Sequence, residues 1–186
     1  MAQASTENAK KLLKELCYKV LIYSNWLKSG SKIIQERLDN ESINWVEING
    51  SMSIAKRKIV LSQFNGTEKN NYEDNKVSVL FISSAGAEGL DLKNTRSIII
   101  LEPHWNSEKI KQVVGRGARF RSHIFLPKNE QKVDIYNLIL KKPKNLEHTD
   151  TVNMSADEII YRMAQDKNEN ILKLYDLIRN NSTEKC

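Results

Sequence analysis

Residues 77–92 read Val77-Ser-Val-Leu-Phe-Ile-Ser-Ser-Ala-Gly-Ala-Glu-Gly-Leu-Asp-Leu92, and their order decides the fold. Val77 to Ile82 reads as a strong central strand. Small residues follow at once. In parallel α/β sheets ligands collect at the carboxyl ends of strands, and Ser83 and Ser84 occupy such an end. Ser83, Ser84 and Gly86 leave room for backbone N–H groups to approach a phosphate. Gly89-Leu90-Asp91 then brings a carboxylate into the same loop. Taken singly, Ser83 and Asp91 read first as caps of a turn and of the next segment.

Working outward, apolar runs alternate with helical patterns, which argues for parallel strands joined by crossover helices. Upstream, Val20 to Tyr23 reads as a buried strand. Ser31 to Leu38 reads as a helix, with Ile33, Ile34, Arg37 and Leu38 on one face. Trp45 to Ile48 is a second strand, closed by Asn49-Gly50. Ser53 is placed to cap a helix running to Phe64, with Ala55, Ile59, Val60 and Phe64 facing inward. Residues 65–76 are polar and aperiodic, hence a loop. Downstream, Ser97 to Leu101 is a strand, Ser107 begins a helix with Glu108 in its first turn, and Val133 to Leu140 is a further strand. Residues 141–153 form a polar connection. Ser155-Ala-Asp-Glu158 has the spacing of a capping box. Ile171, Leu174, Tyr175 and Ile178 continue at helical intervals, so one or two helices pack onto the domain or onto a partner.

The chain has 186 residues, enough for one compact domain with a sizeable core. Residues 1–10 read as a linker, 11–150 as the domain and 151–186 as a helical extension. The formal charge of +6 points to a polyanionic partner, nucleic acid before others. Cys17 and Cys186 have neither metal nor disulfide spacing, which suits an intracellular protein with reduced thiols. No apolar run is long enough to cross a bilayer, and no membrane association is expected. His104, His123 and His148 are dispersed, so no metal site is expected. Trp45 and Trp105 have faces that suit base stacking, but packing is the stronger expectation for each.

The second informative stretch is Gln112 to His123, Q-V-V-G-R-G-A-R-F-R-S-H. Gln112, Arg116 and Arg119 fall in a Q-x-x-G-R-x-x-R pattern. Arginines three apart share one face of a helix or tight turn. Each guanidinium is a permanently charged planar fork of donors, well suited to phosphate.

Together, Ser83–Leu92 and Gln112–Arg119 resemble motifs V and VI of superfamily 2 helicases and translocases. Val20-Leu-Ile-Tyr-Ser-Asn25 looks like motif IV, and Glu102-Pro-His-Trp-Asn106 resembles the run that precedes motif VI in Snf2-type remodelers. Arg119-Phe-Arg-Ser-His123, Leu126-Pro127 and Val133-Asp-Ile-Tyr136 resemble helicases of nucleocytoplasmic large DNA viruses. That group includes the poxvirus early transcription factor small subunit and related nucleoside triphosphate phosphohydrolases. The resemblance implies a RecA-like α/β lobe: a parallel sheet flanked by helices, with a C-terminal helical extension. It implies arginine fingers at Arg116 and Arg119, nucleotide-side positions at Gly89, Asp91 and Gln112, and nucleic-acid contacts at Ser24, Asn25, Asn49, Gly50, Ser83 and Ser84.

Two motifs of such enzymes are absent from the sequence. There is no G-x-x-x-x-G-K-[ST] phosphate loop, and no D-E-x-[HD] box to hold magnesium. Both belong to the first lobe of the family. The chain is therefore expected to be a second lobe, with ATP and Mg2+ held mainly by a first lobe of the same polypeptide. The expected partners are nucleic acid, DNA before RNA, and subunits of a transcription complex. The expected location is a virion or the host cytoplasm. The alternative is a non-catalytic nucleic-acid-binding or protein-interaction module derived from such a lobe.

Overall fold

The computed structural model describes residues 18–26, 30–66, 77–86, 89–143 and 154–181. Cys17, Cys186, His148, the 1–10 linker and nearly all of the 65–76 and 141–153 connections lie outside these residues.

Five strands form one sheet: β1 (Lys19–Tyr23), β2 (Trp45–Ile48), β3 (Val79–Ile82), β4 (Thr95–Ile100) and β5 (Asp134–Asn137). Their spatial order is β2-β3-β1-β4-β5, and every pairing is parallel. Among the described residues four α-helices accompany them: α1 (Lys32–Asn40), α2 (Ile54–Asn65), α3 (Ser107–Gly117) and α4 (Ala156–Asn181). This is the RecA-like architecture expected from the sequence.

The strands β1, β3 and β4 are buried throughout and mostly apolar because both faces of the sheet are covered. Alternate residues supply two cores. Leu21, Tyr23, Leu80, Ile82, Ile98 and Ile100 meet Val60 and Phe64 of α2 and Val113 of α3. Val20, Ile22, Val79, Phe81 and Ile99 meet Ile34 and Leu38 of α1.

Both upstream helices turn slightly away from the expected faces. In α1 the buried residues are Ile34, Gln35 and Leu38, while Ile33 is exposed and Arg37 pairs with Glu41 at the surface. Gln35 goes inward because its amide donates to Glu47 at 2.8 Å. In α2, Val60 and Phe64 are buried as expected, but Ala55 and Ile59 face solvent. Arg57 sets that rotation, since its guanidinium reaches the carbonyls of Asn49 and Gly50.

Local signals at helix starts hold well. Ser53 Oγ accepts from Lys56 N at 3.3 Å. The capping box closes in both directions: Glu158 N donates to Ser155 Oγ at 3.1 Å, and Ser155 N to Glu158 Oε2 at 2.9 Å. It opens a single helix of 26 residues rather than two. Ala164 of α4 is buried, whereas Leu174, Tyr175 and Ile178 are exposed, so only the first half of α4 rests on the lobe. Expected strand β5 is shorter than 133–140. Leu138 N still donates to Ile100 O at 2.9 Å, and the chain then turns to meet α4, where Leu140 N donates to Asp157 Oδ2 at 2.9 Å. No described helix is long and apolar enough to cross a membrane.

Two cationic residues among the described ones are buried in this frame: Arg96, paired with Glu130, and Lys19. Lys19, 6% exposed, donates from Nζ to Asn65 O at 2.8 Å and lies over the Phe64 ring. Burial lowers its pKa from 10.5 to about 8. Between those values the unfolded chain still holds a proton that the folded chain has released, so folding is favoured more as pH rises. The stability of the wild-type chain relative to Lys19→Met is expected to rise on the order of 2–3 kcal/mol between about pH 8 and 10.5. Paired denaturant titrations across that range test it, and a flat difference contradicts it.

Candidate nucleotide and nucleic-acid site

In a parallel sheet every turn that leaves a strand for a helix falls on one edge, the carboxyl edge. Ser24 and Asn25 follow β1, Asn49 and Gly50 follow β2, and Ser83 and Ser84 follow β3. The strand order β2-β3-β1-β4 brings these three turns into one row, with Glu102 after β4 at its end. Backbone bonds stitch the row together: Ser24 N donates to Ile82 O, Ser83 N to Ile48 O and Leu101 N to Tyr23 O. The helices α2 and α3 start on this edge, capped by Ser53 and Asn106, so their positive dipole ends face it.

The six residues differ in exposure. Asn25, Asn49 and Ser84 are half-buried and Gly50 is exposed. Ser24 and Ser83 are buried, at 1% and 8% exposure. The Ser24 hydroxyl donates to Glu102 Oε2 at 3.1 Å and accepts from Trp26 N at 3.0 Å. The Ser83 hydroxyl accepts from Gly86 N at 3.2 Å. These two shape their turns from below, while the other four present polar groups above. Asn49 Oδ1 accepts from Ser51 N and Oγ, forming a side-chain turn.

Sequence reasoning assigned no role to three residues that matter here. Lys109, in the first turn of α3, extends Nζ to Ser84 Oγ at 3.1 Å and places a cation in the row. Arg57 holds the Asn49-Gly50 turn through two carbonyls. Glu102 accepts from Ser24 and from the backbone N–H of Asn25. Burial raises the Glu102 pKa, the bonds from Asn25 and Ser24 oppose that rise, and Asp157 adds to it. The sequence held a usable signal for Lys109, because a helix beginning at Ser107 after a parallel strand must start on this edge.

Ser83 lies at the carboxyl edge and Asp91, further along the same connection, lies at the amino edge, with Leu90 and Leu92 buried on either side of it. There Asn65 clamps it, donating from Nδ2 to Asp91 O and accepting from Lys93 N, both at 2.9 Å. Gly89 has φ +73°, a conformation that suits glycine.

The arginine segment reaches that same amino edge. α3 runs back along β4, and Gly117 packs tightly on Ile98 and Thr95. Beyond the helix, Ser122 O accepts from Asn94 N at 2.9 Å and His123 Nε2 lies 2.6 Å from Thr95 O. Arg119 is exposed, with NH1 3.6 Å from Asp91 Oδ1. Lys93 Nζ is 3.0 Å from the other oxygen of Asp91. All three side chains are about half exposed, so the pairing is worth roughly 1 kcal/mol or less and leaves Arg119 free to move. Arg116 lies half-buried in the last turn of α3, and Gln112 is exposed on its outer side. Arg119, Arg121, His123 and Lys132 border an open hollow of about 500 Å3 with Phe120 and Ile135. No group of three or more His, Cys, Asp or Glu among the described residues could hold a metal ion.

Residues 5–121 match the model of the helicase conserved C-terminal domain. The chain belongs to this helicase C-terminal family. Two Acanthamoeba polyphaga mimivirus proteins, named as candidate ATP-dependent RNA helicases, are 45% and 34% identical to this chain over 82% and 80% of it. Nucleoside triphosphatase I of Choristoneura biennis entomopoxvirus is 32% identical over 77% of the chain. The chain spans 31%, 19% and 20% of the length of these three relatives. In structure it is similar to the C-terminal part of the Fun30 ATPase domain, with a TM-score of 0.62, 21% identity and coverage of 91% of this chain and 54% of that one.

The two tryptophans follow the packing expectation in different degrees. Trp45 meets Phe81 edge-on at 5.7 Å and donates to Asp39. Trp105 is exposed, but His104 stacks on it at 5.7 Å and Lys167 Nζ lies 4.4 Å from its ring centre.

Gly86 joins the turns after β2 and β3. A Cβ there would fall inside contact distance of the Ile48 carbonyl, which is backbone and cannot yield. Gly86→Ala is therefore expected to lower stability by about 1–3 kcal/mol. Urea unfolding measures this, and an unchanged midpoint would show that the two turns are not packed as described.

Proposed function

We propose that the chain is the second lobe of a nucleic-acid-dependent ATPase of the superfamily 2 helicase and translocase type. Arg119, with Arg116 beside it, is the arginine finger for ATP and Mg2+ held by a first lobe. The row Asn25, Asn49, Gly50 and Ser84, with Ser24 and Ser83 supporting it, contacts a nucleic-acid backbone. Gly89, Asp91 and Gln112 lie on the nucleotide side. The observation that carries this reading is the separation of the two groups. Exposed Arg119 and half-buried Arg116 stand at the amino edge of the sheet and the polar row at the carboxyl edge.

That separation suits a machine. A guanidinium stabilises charge developing on the transferred phosphoryl oxygens. A rigid sheet, buried on both faces, then passes movement at one edge to the other as a hinge-type closure. The row offers amides, a hydroxyl and Lys109 rather than groups aimed at base edges. Binding is thus to the phosphate backbone, which DNA and RNA share, with weak sequence preference. The similarity to viral proteins favours a role in viral transcription or remodelling.

Two outcomes follow. The 186-residue chain alone turns ATP over below about 1 s⁻¹, since it lacks a phosphate loop. A faster, single-strand-stimulated rate would contradict the second-lobe reading. In the two-lobe protein, Arg119→Ala lowers ATP turnover on the order of 10³-fold. Arg119→Lys is also poor, because it keeps the charge and loses the fork. Nucleic-acid affinity and thermal melting stay near wild type. Wild-type turnover, or joint loss of binding and folding, would make Arg119 a structural or nucleic-acid residue instead.

A further inference from the structure

A carboxylate stands at the edge where the proposed reading puts a polyanion. Glu102 is half-buried directly after β4, and simple electrostatics would count it as a repulsive defect. Its bonding gives it another task. One carboxylate oxygen accepts the Ser24 hydroxyl at 3.1 Å and the other accepts the backbone N–H of Asn25. The same Ser24 oxygen accepts Trp26 N–H at 3.0 Å. Tyr23 O–H donates to Asn25 Oδ1 at 2.9 Å. The two oxygens of Glu102 therefore fix the conformation of three consecutive residues. With Oδ1 of Asn25 taken by Tyr23, its Nδ2 amide group is left as a donor without an acceptor among the described residues. A phosphate oxygen is the acceptor such a donor suits.

We propose that Glu102 is a positioning residue for nucleic-acid backbone binding, holding the Ser24–Trp26 turn so that Asn25 Nδ2 is presented to phosphate. This rests on the reading of the carboxyl edge as the nucleic-acid side. It has an unusual sign: removing a negative charge from a polyanion-binding edge weakens binding. Charge-assisted hydrogen bonds are the stronger kind, and losing both releases the turn.

The test uses this chain with a fluorescently labelled oligothymidylate, read by anisotropy at several salt concentrations, with amide NMR of the free protein. Glu102→Ala is expected to weaken binding about tenfold, the loss of one charged bond's worth of free energy. Its Asn25 amide proton signal moves upfield as the bond to the carboxylate disappears. Glu102→Gln keeps an acceptor for Asn25 N–H but lacks the second acceptor for Ser24. It is expected to lose about threefold and to keep most of the Asn25 shift, a partial rescue that a folding defect would not give. Lys109→Ala serves as a control for the edge itself. It weakens binding with a salt slope lower by about 0.7, and leaves the Asn25 signal in place. Binding by either Glu102 variant that equals or exceeds wild type overturns the proposal and makes Glu102 a plain repulsive charge. Failure of the wild-type chain to bind oligothymidylate even at low salt, with no effect of Lys109→Ala, overturns the nucleic-acid reading beneath it.

Discussion

Parallel strands joined by crossovers allow one arrangement of their connections. Each turn leaving a strand lies at the carboxyl edge, and each return lies at the amino edge. In this chain the rule is strict for all five strands, because every pairing is parallel. It gathers Ser24, Asn49, Ser83 and Glu102, up to 78 residues apart in sequence, into one row. It also sends the end of α3, and with it Arg116 and Arg119, to the opposite edge. The cost of holding the strands is met by two apolar faces, so the edges are free to carry polar groups.

The sequence revealed the strands more clearly than the helix faces. β3 and the stretches Val20 to Tyr23 of β1 and Ile98 to Ile100 of β4 are apolar runs buried on both sides, and such runs need no knowledge of their neighbours to be recognised. The faces of α1 and α2 depend on partners. Gln35 turns inward because Glu47 waits on the adjacent strand, and Arg57 turns toward the Asn49-Gly50 carbonyls. Helical spacing alone favoured Ile33 and Ile59, which the lobe leaves in solvent. The capping signals at Ser53 and Ser155 were legible because a cap is local: donor and acceptor lie within three residues.

The candidate site was legible in its residues and not in its geometry. The arginine pattern and the small-residue loop stand in the sequence, but the path of the loop does not. Ser83 and Asp91 lie eight positions apart in sequence and look like neighbours. Asp91 comes to the amino edge because Leu90 and Leu92 on either side of it are drawn into the core. Glu102 and Lys109 were harder still. A charged residue near a helix start usually faces solvent, and only the assembled edge shows what each one touches. The Arg119–Asp91 contact follows the same logic, since it joins the ends of two segments that meet only when α3 has folded back along β4.

The central claim is that one lobe carries two functional edges, and mapping amide chemical shifts tests it most directly. With a short single-stranded oligonucleotide added to the lobe, the amides of Asn25, Asn49, Gly50 and Ser84 are predicted to shift together and saturably. Those from Arg116 to His123 should stay where they are. Shifts centred on Arg116–His123, with the carboxyl edge silent, would contradict the account and put the nucleic acid where the nucleotide is proposed to lie.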